Sequence, residues 1–414
     1  MKRMLTAIFV LAGIFISGQA AAASAKGGNA GNGPGKDYGF TKSDAVLAFD
    51  SFVAGFFNGS GQFSRDTGMD GTDAQPWTQA TMFDMIMNAY RLTGDKKYMD
   101  LLYRHFEGCK NTFTFDWYDY THWDLYDDMM WWVGSLARAY RLTGDKEFLD
   151  ISEEGFKRVW YGKSSDFDGT GWNERDAYGS FGGDDDIQVP GKPLKPVNAM
   201  YWDWKFKRRG KMSCINFPTI IAAMELYRCT GNKDYLEKAK TLYGYCSTRL
   251  FDSRTGAVAD SRHSEEGDGN WMTLVYNQAT AMAAFAMLHI ETGQLEYIGN
   301  AVKAMDYIVH KKRTAPGVLK AEGDTDQSNL KDEKGIYNAI LATYIPLITV
   351  ECGQTQYLDF IARSIRKGWK NRDSRNLTNK KLGDRLDSSQ AVSSYTASGV
   401  PALMLSFPGL KDTE

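Results

Sequence analysis

The 414-residue chain is poor in the residues that mark a site by spacing alone. Its five cysteines, Cys109, Cys214, Cys229, Cys246 and Cys352, are odd in number and scattered, which excludes a disulfide framework. All fall in helical patterns, where a free thiol packs as a small apolar side chain. One pair stands apart. Cys214 lies 17 residues before Gly231 and Cys246 lies 15 after it, so a helical hairpin turning there could bring them together and export would permit a bridge. The five histidines show no ligand spacing, so no metal is expected. Asp166-Phe167-Asp168-Gly169 opens like a calcium loop, but its twelfth position is Ala177, and Asp184, Asp185 and Asp186 read as exposed charge. No Gly-rich phosphate loop follows a strand, no Ser-His-Asp arrangement can be picked out, and no cofactor is expected. A formal net charge of -2 supplies no broad field for nucleic acid or anionic lipid.

Long apolar runs are also scarce. The run that counts is Leu5 to Ile16, behind Lys2 and Arg3 and ahead of an Ala23-Ser24-Ala25 cleavage pattern. This reads as a signal peptide over 1–25, too short to span a membrane. No cysteine sits near the cut, so no membrane anchor is expected. A Gly/Asn-rich linker over 26–40 and a single catalytic domain over 41–410 follow, with export to the periplasm or beyond.

What the chain does have is a repeat. Ala89 to Asp100 reads AYRLTGDKKYMD and Ala139 to Asp150 reads AYRLTGDKEFLD; weaker copies start at Leu226, Leu288 and Ile348. Each shows a helix stopped at glycine (Gly94, Gly144, Gly231, Gly293 or Gly353), a polar turn, and an immediate restart, the mark of antiparallel helix pairs. Twelve helices are predicted: about 43–58, 77–92, 96–108, 124–142, 146–160, 212–229, 233–250, 271–291, 295–312, 333–351, 355–370 and 388–406. No run of alternating strands competes with them. Six hairpins fit an all-α (α/α)6 barrel or an open solenoid. The helices before the glycines are rich in Ala, Met, Leu and aromatics, which favours closure with those helices inside. Their N-termini would converge on one rim, at Trp77–Gln79, Trp123–Asp128, Met212–Asn216, Trp271–Gln278, 329–337 and Ser388–Gln390.

One of these starts carries concentrated chemistry. His122 to Trp132 reads HWDLYDDMMWW, with Asp127 and Asp128 among Trp123, Tyr126, Trp131 and Trp132. Carboxylates among large apolar side chains are costly to bury unless used or paired. The bland alternative is a solvated first turn favoured by the helix dipole. Neighbouring carboxyls lie roughly 5 Å apart, near the spacing of a retaining glycosidase, and their mutual repulsion keeps one protonated. Asn216, Asn277 and Gln278 could hydrogen-bond sugar hydroxyls, or serve as caps and braces. Trp123, Trp132, Trp172, Trp202 and Trp204 could stack on sugars, or pack in the core. Lys334 could contact sugar, or be a solvated charge. The basic run Lys205 to Lys211 reads as solvated loop.

The Asp-Asp pair followed by Trp-Trp and LTGD resembles glycoside hydrolase family 76, the α-1,6-mannanases. TLVYNQATAMAAF from Thr273 is similar to the family's Tyr-Asn-Gln helix start, which adds Tyr276. DEKGIYNAILATYI from Asp332 and QAVSS from Gln390 are similar to its later helix starts, in order along the chain. Met129-Met130 and KMSCINFP from Lys211 depart from the family's pattern. The resemblance implies an (α/α)6 barrel, endo-cleavage of α-1,6-mannan with retention, Asp127 as nucleophile and Asp128 as acid/base. It implies α-mannan polysaccharide or oligosaccharide as partner, and a monomer is expected. The alternatives are a mannan transglycosidase, a different toroid enzyme and a non-catalytic glycan-binding toroid.

Overall fold

The computed structural model describes residues 37–68, 73–119, 121–161, 181–182, 199–202, 210–263, 269–322 and 333–411. The expected signal peptide, most of the linker, Trp172, Trp204, the acidic loop residues and all but Gly210 and Lys211 of the basic run lie outside them. Twelve α-helices occur among the described residues. They are α1 (Lys42–Phe56), α2 (Pro76–Thr93), α3 (Lys96–Phe113), α4 (Tyr126–Thr143), α5 (Lys146–Tyr161) and α6 (Ser213–Thr230), then α7 (Lys233–Tyr245), α8 (Val275–Thr292), α9 (Leu295–Lys311), α10 (Tyr337–Pro346), α11 (Leu358–Lys370) and α12 (Ser394–Leu405).

The even-numbered members α2, α4, α6, α8, α10 and α12 each pack on the next, and α12 packs back on α2. The circle is therefore closed, an (α/α)6 barrel rather than an open solenoid. Outside it, α3 covers α2, α5 covers α4, α7 covers α6 and α9 covers α8, while α1 and α11 cover α12. Burial follows. Every residue of α6 from Ser213 to Leu226 and of α8 from Val275 to Leu288 is buried. The outer α3 buries a single stripe that includes Tyr98, Leu101, Leu102, His105, Phe106 and Cys109.

The repeated TGD signature has a local reason. The threonine hydroxyl donates to the carbonyl four residues back and accepts from the N–H two residues on, as Thr93 does between Ala89 and Asp95 and Thr143 between Ala139 and Asp145. The glycine between is left-handed, with φ 68° at Gly94 and 76° at Gly144. The Asp95 carboxylate then caps α3 by accepting from the Lys97 N–H.

Several boundaries differ from the periodicity. Helix α8 starts at Val275, not Trp271, because the Glu322 carboxylate accepts from the Val275 N–H. Helix α12 starts at Ser394, not Ser388, because the Ser393 side chain caps the Thr396 N–H. The stretch predicted as one helix over 333–351 is a 3-10 turn (Glu333–Ile336), then α10, then a π turn (Leu347–Glu351) after Pro346, which has no N–H to give. The body also begins before residue 41, since Tyr38 and Phe40 pack edge-on against Phe407. Two short antiparallel ribbons went unforeseen: β1 (Phe181–Gly182) with β2 (Ala199–Met200), and β3 (Gly210–Met212) with β4 (Ser261–His263). All five cysteines are free, so Cys214 and Cys246 form no bridge.

Candidate active site

Helix α4 begins at Tyr126, whose N–H donates to the carbonyl of Trp202 at 3.1 Å. Asp127 and Asp128 thus occupy the first turn, where the helix dipole favours negative charge. Asp127 is buried and Asp128 retains partial contact with solvent. The neighbouring Cys214 thiol and Trp202 indole favour the charged form of the Asp127 carboxylate. Its Oδ1 is buried without a hydrogen-bond partner. Burial pushes the Asp127 pKa up to about 7, against these groups and the N–H groups of the helix start. Asp128 is held well above the usual carboxylate range, first by burial, then by the charges of Asp127, Asp124 and Glu333. The two titrate as a coupled pair, both raised.

An aromatic series crosses the barrel beside them. Trp77 of α2 lies 6.3 Å from Trp131 of α4, Trp131 lies 6.4 Å from Tyr276 of α8, and Tyr276 lies 4.3 Å from Tyr337 of α10, as ring centroids. Four inner helices contribute one ring each. Beyond Tyr276, the Asn277 amide donates to Asp260 at 3.1 Å and leaves its own Oδ1 buried and partnerless. Asn338 Oδ1 is in the same condition. Buried acceptors without donors are rare in a pure core and suit a surface awaiting hydroxyl groups.

Of the residues singled out in the sequence, the structure gathers Asp127, Asp128, Trp202, Tyr276 and Asn277. Lys334 lies buried on the 3-10 turn leading into α10. The remaining candidates have other employment. Trp123 donates its indole N–H to the Phe113 carbonyl and packs on Phe115 and Trp117. Trp132 donates to the Pro76 carbonyl and packs on Phe83 and Phe115. Tyr126 is buried, with the Arg158 guanidinium over its ring. The Asn216 amide donates to the Met200 and Met212 carbonyls and accepts from the Met200 N–H, so it braces β2. Gln278 accepts from the Val258 N–H and donates to the Gly256 carbonyl, pinning a turn. Gln390 is exposed in a turn closed by its N–H to the Asp387 carbonyl, four residues before α12.

Sequence reasoning missed Asp260 and Asn338, placed Trp77, Cys214, Glu333 and Tyr337 only within the rim of helix starts, and named Trp131 only as part of the wall. Trp131 is one helical turn from Asp127, but Trp132 bears the same relation to Asp128, so spacing could not choose between them. Among the described residues no group of three or more His, Cys, Asp or Glu could hold a metal, and no helix is long and apolar enough to cross a membrane.

A closed helical toroid with paired acids at one mouth defines a class; comparison with known proteins gives the family. The family model for glycosyl hydrolase family 76 matches residues 40–172 and 199–404. The chain belongs to glycosyl hydrolase family 76. Its fold is similar to that of the GH76A α-1,6-mannanase from Salegentibacter sp. HEL1_6, at 22% identity and a TM-score of 0.72, covering 88% of this chain and 98% of that one. An inactive variant of that enzyme, with two consecutive aspartates changed to asparagine, was solved in complex with α-1,6-mannotriose; it matches at 21% identity with a TM-score of 0.72, covering 88% and 98%. The family 76 mannosidase Bt3792 from Bacteroides thetaiotaomicron VPI-5482 matches at 16% identity with a TM-score of 0.65, covering 88% and 96%. No curated protein matches by sequence.

Proposed function

We propose that this protein is a retaining endo-α-1,6-mannanase. The observation that carries the reading is Asp127 beside Asp128 at the start of α4, both with raised pKa values and Asp127 with a bare buried oxygen. Asp127, ionised, attacks the anomeric carbon from the face opposite the departing glycosidic oxygen. Asp128 delivers its proton to the glycosidic oxygen as the bond breaks. A covalent glycosyl-enzyme results, and Asp128, now ionised, takes a proton from the water that releases the sugar. Trp131, Tyr276 and Tyr337 offer flat apolar faces to pyranose rings, while Asn277 and Asn338 offer acceptors to hydroxyl groups. The inactive two-aspartate variant of the Salegentibacter enzyme supports this assignment.

The test is incubation with debranched yeast mannan, sizing products over time and reading the anomeric form first released by NMR. Fragments of many lengths appearing early, with the α-anomer first, are expected. Mannose alone from the start would refute endo-cleavage, and β-anomer first would refute the double-displacement route. The N-terminal pattern supports export, which fractionation of a cell expressing the whole chain would check.

A further inference from the structure

We propose that Trp271, with Met272 beside it, is a platform for a mannose unit remote from the cleaved bond, and that it sets how strongly the enzyme favours long chains over short ones. The inference deepens the reading of the protein as a mannanase and rests on it. Trp271 is the one tryptophan among the exposed large apolar side chains of the described residues, at 42%, and Met272 follows it at 48%. Helical periodicity would place both in the first turn of α8. The helix instead starts at Val275, so 271–274 form a non-helical lead-in. This lead-in is tied at both ends. At its head the Asn270 carbonyl accepts from the Asp260 N–H at 2.8 Å, and the Asn270 N–H donates to the Ser261 carbonyl at 2.9 Å. The Asn270 side chain accepts from the Met272 N–H at 3.0 Å. At its tail the Thr273 hydroxyl meets the Tyr307 hydroxyl at 3.3 Å, the Thr273 carbonyl accepts from Lys312 Nζ, and the Val275 N–H donates to Glu322 at 3.0 Å. Lys312 and Glu322 are paired with each other at 2.9 Å. A loose loop would fold its indole back onto the protein to shed exposed apolar area. This backbone is held with its two large apolar side chains in water, as a binding surface requires.

The same ties fix where the platform lies. The Asp260 carbonyl accepts from the N–H of Ser213, the first residue of α6, at 2.8 Å, and its carboxylate accepts from the Asn277 amide at 3.1 Å. Asn270 is therefore bonded to the residue that joins the starts of α6 and α8. Trp271 precedes Tyr276 by five residues, an extended reach of at most about 17 Å. Tyr276 belongs to the aromatic series beside the acid pair and is only 9% exposed, so Trp271 is the outward member of the two. A sugar on Trp271 and a sugar at the acids are then units of one chain. A 1,6 link carries an additional rotatable bond, so a rim contact has to accept varied poses. A flat indole face beside a flexible thioether does so. Binding energy gathered there favours long substrates without touching the reacting atoms.

The experiment measures kcat/KM on α-1,6-mannooligosaccharides of increasing length for the wild type, Trp271→Ala, Trp271→Phe and Leu295→Ala. The quantity read is the ratio for mannohexaose over the shortest oligosaccharide cleaved. A ratio within one variant is blind to how much of that variant folds. Trp271→Ala is expected to lower it roughly tenfold, mainly through KM of the long substrate. Trp271→Phe keeps a flat ring and is expected to recover most of it. Leu295→Ala removes an apolar side chain 78% exposed on the outer α9 and is expected to keep the wild-type ratio. In parallel, mannohexaose is titrated into Asp127→Asn with and without Trp271→Ala, reading tryptophan fluorescence. A change that needs Trp271 is expected. A Trp271→Ala ratio equal to the wild type, an equal loss in Leu295→Ala, or a fluorescence change indifferent to Trp271 would overturn the proposal and leave the mannanase reading standing. A wild-type protein that cleaves no mannan, while the fluorescence change still needs Trp271, would instead overturn the mannanase reading and keep the platform.

Discussion

The two ends of the inner helices treat buried charge in opposite ways. Toward the C-terminal end, acids are matched to arginines. Arg138 clamps Asp84 with bonds of 2.9 and 2.6 Å, and Ser135 adds a third at 3.0 Å. Arg141 reaches Glu225 at 2.7 Å, and Arg228 reaches Glu291 at 2.8 Å. At the N-terminal end, Asp127, Asp128 and Glu333 all have raised pKa values: burial outweighs the partners of Asp127 and Glu333, and for Asp128 the neighbouring acids add to it. The matched end holds the barrel together. The unmatched end keeps its acids reactive and costs stability to do so. This contrast lets a site be told from a brace with no ligand in view.

The contrast can be broken most forcefully at the acid pair. Asp127→Asn or Asp128→Asn is expected to lower kcat/KM on α-1,6-mannan by about a thousandfold or more while the protein stays folded by circular dichroism. Full activity in either variant would remove the catalytic reading.

Next comes the matched end. Arg138→Ala strands Asp84 in a buried site and should cost about 3–5 kcal/mol in denaturant unfolding. Replacing both partners, as Asp84→Leu with Arg138→Met, should recover most of that loss. If the double variant is as weak as the single one, packing rather than charge matching holds that end.

The third prediction sets one end against the other through pH. A carboxyl whose pKa is higher folded than unfolded opposes folding once pH passes its unfolded value, near 4. That opposition grows until the folded value, about 7 for Asp127, and is constant above it. Asp127→Asn should thus melt close to the wild type at pH 4 and several degrees higher at pH 8. An equal difference at both pH values would mean that Asp127 is no more strained than a surface acid.

The smallest effect is expected at Arg141, whose side chain is 42% exposed. Arg141→Ala should change stability by no more than about 1 kcal/mol, because Arg91 and Arg228 also act on Glu225. A loss as large as that of Arg138→Ala would show the four arginines acting as one unit.

Read alone, the amino-acid order determined the helical hairpins, because the glycine stops, and in the stronger copies the threonine before them and the capping Asp or Asn after them, act over four or five residues. It also determined which helices lie inside, since a helix apolar all round has nowhere else to go, and it exposed the acid pair, which is contiguous. Tertiary structure decided what local order cannot carry. Closure depends on α12 meeting α2, more than three hundred residues apart in the chain. The clamp of Asp84 by Arg138 joins residues 54 apart. Above all, the polar residues at helix starts were sorted into Asn277, which keeps a buried oxygen without a partner, and Asn216 and Gln278, tied at both ends as braces. Each has the same chemistry and a similar place in the sequence. What separates them is the rotation of each helix and the loop that reaches it first, and both are properties of the packed whole.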